Sequence, residues 1–200
     1  DMTQTEVMFL SNGAAYNTTL LPQVNVFNAY FGGGMSSVVF QELRESKALA
    51  YSTYARYVSP TRADRNFYTM AYIGSQADKL EEALKGMSAL LDSLPYSQSG
   101  FENAKSSVIQ EIRTQRILNS DVFFKVLQAQ ELGHTEDVRK TIFNTVPKIT
   151  FREILYFHKS QIKTPQRSVL VIGKKEHINP TVLKPYGKIQ FLDLKTLYGY

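Results

Sequence analysis

The sequence predicts an α+β fold, a mostly antiparallel sheet with helices packed on one face. Two observations point there. Strand-like runs cluster in the first third and return only near the end, while the segment between them carries helical periodicity. Two of the strand-like runs are also separated by a short polar loop, as in a hairpin. Clustered strands followed by clustered helices argue for α+β rather than for an alternating parallel sheet.

The elements read as follows. Thr5 to Leu10 predicts a first strand with Val7 and Phe9 on one face, and Ser11-Asn12-Gly13 reads as a turn. Leu20, Leu21, Val24 and Phe27 follow helical spacing, which predicts a helix over 19–30 with Pro22 in its first turn. Three glycines, Gly32 to Gly34, then break the chain, and their expected role is a tight turn needing positive φ. Ser36 and Ser37 are candidate caps for a helix carrying Val38, Val39, Phe40, Leu43 and Arg44, which should end near Ser46 or Lys47. Residues 51–58 and 66–73 predict the hairpin, being rich in Tyr, Phe, Thr and Val.

The middle of the chain is helical. Ser75-x-x-Asp78, Ser99-x-x-Glu102 and Thr150-x-x-Glu153 each match a capping box. Leu80, Ala83, Leu84, Met87, Leu90, Leu91 and Leu94 form an apolar stripe that Pro95 should end. A helix over 101–116 follows, with Ala104, Val108, Ile109 and Ile112 inward. The next runs from an Asp121 cap to Leu132, stopped by Gly133. A short helix over 138–143 and a longer one from Thr150 to Ile162 complete the set. Ser168 to Ile172 predicts a strand, residues 187–194 a last one, and Leu197 to Tyr200 a tail.

Composition narrows the class. Two hundred residues suit a single domain, and a 43% hydrophobic share can build a real core. No run of ~18 apolar residues suggests a membrane span. Asp1-Met2-Thr3-Gln4 lacks the basic and apolar regions of a signal peptide, which says nothing about export if the chain is a fragment. Without cysteine there is no disulfide and no thiolate metal site, and either a cytoplasmic or a periplasmic compartment is compatible. The net charge of +5 is scattered without a basic run or a nucleic-acid motif, so no nucleic-acid partner is expected.

The stretch from Asn28 to Tyr57 is the most informative. Arg44 and Tyr51 lie across a predicted helix-to-strand turn, so a permanent cation and a phenol could face one cleft. The plainer reading pairs Arg44 with Glu42 or Glu45 and leaves Tyr51 at the edge of the core. Gly-Gly-Gly-Met-Ser-Ser, then Leu-Arg-Glu, then Leu-Ala-Tyr-Ser resembles the C-terminal-type domain of the insulinase/pitrilysin zinc metallopeptidases, the inverzincins whose zinc motif is H-x-x-E-H. Ala48 stands where that family most often has glycine.

The resemblance implies a mitochondrial-processing-peptidase-like domain over residues 1–200, cut from a longer chain or working beside a partner chain. It implies zinc in that partner domain, a peptide substrate enclosed between domains, and a metalloendopeptidase activity to which this chain contributes. The family's R-x6-Y pattern falls on Arg44 and Tyr51, and the resemblance gives them substrate binding and transition-state stabilisation. Two alternatives stay open: a structural homologue without catalysis, and an interaction domain that takes a peptide strand at its sheet edge.

No self-sufficient active site is evident. Neither H-E-x-x-H nor H-x-x-E-H occurs, so no metal or cofactor is expected in this chain and the chain alone should be inactive. His134 reads as a charge at a helix C-terminus, and His158 and His177 as ordinary surface residues. G-x-S-x-G is absent, and the triple glycine lacks the companions of a phosphate loop or a dinucleotide fingerprint.

Overall fold

The computed structural model describes residues 4–164 and 166–199. Residues 1–3 of the N-terminal tetrapeptide and Tyr200 of the expected tail lie outside them.

Four antiparallel strands form one sheet in the order β2-β3-β1-β4. They are β1 (Gln4–Ala15), β2 (Ser52–Val58), β3 (Asn66–Gln76) and β4 (Ser168–Ile172). Alternation sets the faces. Val7, Phe9, Ala55, Tyr57, Phe67, Ala71 and Ile73 are buried beneath the helices. Met8, Leu10, Tyr54, Met70 and Tyr72 point the other way, with the Tyr54 and Tyr72 rings stacked 5.2 Å apart.

Helices α1 (Leu21–Phe31), α3 (Leu80–Asp92), α4 (Gln98–Thr114), α6 (Val138–Thr145) and α7 (Phe151–Phe157) close the core, with the short α2 (Val38–Phe40) between the first two. Every residue of the predicted stripe from Leu80 to Leu94 is buried, and α3 packs on β3. The Thr150 capping box forms as expected: Thr150 Oγ1 accepts from the Glu153 amide, while the Glu153 carboxylate accepts from the Thr150 amide at 2.7 Å. Helix α5 (Asn119–Glu131) buries none of its residues and ends at Gly133, whose φ is 70°.

Several expectations are corrected. Ser11-Asn12-Gly13 is not a turn but a bulged part of β1, where missing Cβ volume matters: a Cβ on Gly13 would lie 2.4 Å from the Tyr57 hydroxyl. Ser75 is the buried penultimate residue of β3 and caps nothing. The cap of α4 is Ser97, accepting from the Gly100 amide, rather than Ser99. Asp121 sits in the first turn of α5, not at its cap. Residues 187–193 form no strand, because alternation supplies propensity but no neighbouring ladder. Leu197 instead lies in the exposed α8 (Leu194–Tyr198).

Candidate functional site

The turn carrying the predicted site begins at the glycines. Their φ values are not positive, so the expected dihedral requirement is absent. The need at Gly32 is for room: a Cβ there would sit 2.2 Å from the Ala55 carbonyl oxygen, so the end of α1 lies directly on β2. Ser37 precedes α2 in extended backbone, yet its hydroxyl makes no cap bond. A π-helical turn (Gln41–Ser46) prolongs α2 and buries Leu43, fixing the segment to the core.

Arg44 projects outward from this turn. Its guanidinium carbon lies 4.9 Å from the centre of the Phe40 ring, one helical turn back. Nε also lies 3.9 Å from Glu45 Oε1, with both side chains about half exposed. That is the plainer pairing foreseen above, and at such length and exposure it holds the arginine only weakly. Glu42 pairs with Lys47 instead.

The chain then reverses at Ala48, which has φ 49° and so adopts the left-handed backbone that glycine favours. Three contacts tie this reversal to the end of β3. Lys79 Nζ donates to the Ala48 carbonyl at 3.1 Å, the Tyr51 amide donates to the Gly74 carbonyl at 2.8 Å, and Gln76 Nε2 donates to the Tyr51 hydroxyl at 2.8 Å. Tyr51 is 51% exposed and borders an open depression with Gln76, Asp78 and His177.

Arg44 does not line that depression. Phe40, on which it stacks, lines a second one with Gly32, Gly33, Thr53 and Tyr54. Tyr51 thus lines one depression, and Arg44 lies over a ring that lines another. Gln76 was missed in the sequence, although Ser75-x-x-Asp78 drew attention to its neighbours as a helix cap.

The histidines are dispersed. His158, expected on the surface, is 1% exposed, with its ring near Phe27 and Phe31 and Nε2 3.3 Å from the Leu90 carbonyl. Burial pushes its imidazole below the usual histidine range, partly offset by the bond to Leu90. His134 shares a 2.9 Å hydrogen bond with the Tyr16 hydroxyl, tying the segment after α5 to the residue that follows β1. His177 is exposed beside Tyr51. Among the described residues no group of three His, Cys, Asp or Glu side chains could hold a metal ion. Among them, too, no helix is long and apolar enough to cross a membrane.

These features define a helix-covered sheet domain that displays an arginine and a tyrosine at one end. The family model for the peptidase M16 inactive domain matches residues 1–108, more than half of the sequence. The chain belongs to this family, which bears out the resemblance read from residues 28–57. An uncharacterized zinc protease of Rickettsia bellii (strain RML369-C) is 39% identical over 82 residues, or 40% of this chain. The match spans only 19% of that relative's length.

Solved structures agree on the fold. The peptidase M16 inactive domain from Pseudomonas fluorescens superimposes with a TM-score of 0.70 at 16% identity, covering 85% of this chain and 41% of that one. A chain from Bordetella pertussis Tohama I gives 0.69 at 16% identity, with 86% and 94% covered. A chain of complex III2 from Candida albicans gives 0.62 at 13% identity, with 94% and 47% covered.

Proposed function

We propose that residues 1–200 form the zinc-free, C-terminal-type domain of a zinc metalloendopeptidase, and that they close over a peptide held against a zinc-bearing domain of the same or a partner chain. Family membership supports the general reading, and the zinc protease name of the Rickettsia bellii relative supports zinc in the partner domain. The observation that carries the finer reading is the state of Tyr51. The residue is half exposed, and its phenol oxygen already accepts a hydrogen bond, which leaves its own proton to offer to a ligand.

In this reading Tyr51 donates to the carbonyl oxygen of the scissile peptide as negative charge builds there. Such a bond strengthens toward the transition state and therefore accelerates the chemical step. Arg44, stacked on Phe40, presents a planar fork of donors that suits a backbone carbonyl or a carboxylate of the same substrate.

The test is turnover of an unfolded peptide by the complete peptidase carrying this domain. Tyr51→Phe removes one donor, an effect typically worth ~2.7–4 kcal/mol, and should lower kcat ~100-fold or more. Arg44→Lys should also impair turnover, because a point charge does not replace the fork. Full activity in both variants would refute catalytic roles for the pair and leave this domain as a wall of the substrate chamber.

A further inference from the structure

We propose that Gln76 is a positioning residue for Tyr51: its side-chain amide occupies the phenol oxygen as a donor and so commits the tyrosine's only proton to the substrate. The inference rests on the reading of Tyr51 given above. A phenol carries one proton and can both donate and accept. With an acceptor beside it, the proton would turn inward and be lost to the substrate. Gln76 instead places Nε2 2.8 Å from the phenol oxygen, so the tyrosine accepts on that side.

The contact lies at the surface, and the strand fixes the backbone on both sides of it. Gln76 is the last residue of β3, in register with Gln4 on β1. Two residues earlier on β3, the Gly74 carbonyl takes the Tyr51 amide at 2.8 Å. Three residues later, Lys79 holds the Ala48 carbonyl at 3.1 Å. The end of β3 and the turn after it therefore grip the Tyr51 segment at its backbone and at its hydroxyl, with Gln76 donating to the reactive oxygen.

The chemical consequence follows from charge. When Tyr51 donates to a developing oxyanion, electron density rises on the phenol oxygen. An N–H already pointed at that oxygen stabilises this density, and linked hydrogen bonds polarise one another. The effect grows toward the transition state, so it belongs in kcat rather than in KM.

The experiment is steady-state kinetics of the complete peptidase on an unfolded peptide, with Gln76→Ala and Gln76→Glu made alone and together with Tyr51→Phe. Gln76→Ala should lower kcat about tenfold with KM and the urea midpoint unchanged, the size expected for one modest hydrogen bond. Gln76→Glu should be worse than Gln76→Ala, because a carboxylate only accepts and would capture the tyrosine proton. With Tyr51→Phe present, neither Gln76 change should lower kcat further.

A Gln76→Glu variant as active as Gln76→Ala or better, or a Gln76→Ala loss that persists in the Tyr51→Phe enzyme, overturns the positioning role. Loss of turnover in Tyr51→Phe with none in Gln76→Ala overturns positioning alone. Full turnover in Tyr51→Phe overturns the underlying reading and this proposal with it.

Discussion

Tyr51 immediately precedes β2 and Tyr57 lies near its far end, and their environments are opposite. Tyr57 is fully buried. Its ring stacks on Phe67 at 5.0 Å, and its hydroxyl accepts from the Ala14 amide and donates to Gln161 Oε1. Its own backbone is clamped by Asn28, which accepts from the Tyr57 amide and donates to its carbonyl. Tyr51 is half exposed, and its hydroxyl accepts from Gln76 Nε2. One phenol is spent on holding β1, β2 and the turn after α7 together, and the other is left with a donor to offer. The residue type is the same; the cover of helices over one end of the strand makes the difference.

The largest effect should appear at the buried end. Tyr57→Phe strands the Ala14 amide and the Gln161 side chain, so chemical denaturation should show a loss of about 1–3 kcal/mol. A loss near zero would mean that these groups find other partners and that the contrast between the two ends is weaker than drawn.

His158 belongs to the same end, since its neighbour Phe157 packs edge-on against Tyr57 at 5.3 Å. Its folded-state pKa lies below the ordinary value, so the unfolded chain binds more protons on acidification. The stability contributed by the neutral ring is therefore present above the ordinary histidine pKa. It is lost as pH falls from there toward the depressed one. Urea midpoints of the isolated domain should drop across that window, and replacing His158 by Gln should flatten the drop. An unchanged slope would place the acid sensitivity elsewhere.

The smallest change is expected at the open end. Ala48→Gly relieves a left-handed alanine, worth ~1–2 kcal/mol, and returns part of that gain as backbone entropy, ~0.5–1 kcal/mol. The denaturation midpoint should hold or rise slightly. A clear loss would mean that the alanine methyl has a packing role that its exposure does not suggest.

The sequence was most legible where one pattern decided the outcome. The α3 stripe, the hairpin and the Thr150 box were readable because period and cap chemistry act locally. Gly32 was misread because its need is steric and long-range: the Ala55 backbone that crowds it lies on a strand formed later in the chain. The positive φ fell instead on Ala48, in the turn that the resemblance had marked. His158 was misread although Ile154, His158 and Ile162 recur at a spacing of four on one helical face, which was the available signal of burial. Arg44 and Tyr51 could be picked out by resemblance, but the surfaces they border depend on how the turn between them folds. Spacing does not encode that.

The most direct test crosses the two tyrosines. In the complete peptidase, kcat and the urea midpoint are measured for Tyr51→Phe and Tyr57→Phe side by side. The account predicts that Tyr51→Phe lowers kcat ~100-fold or more and leaves the midpoint nearly unchanged. Tyr57→Phe should lower the midpoint and leave kcat of the folded enzyme nearly intact. If Tyr51→Phe turns over like the parent, or if both variants lose stability and activity together, the two ends of the strand do not divide structure from function and the account is wrong.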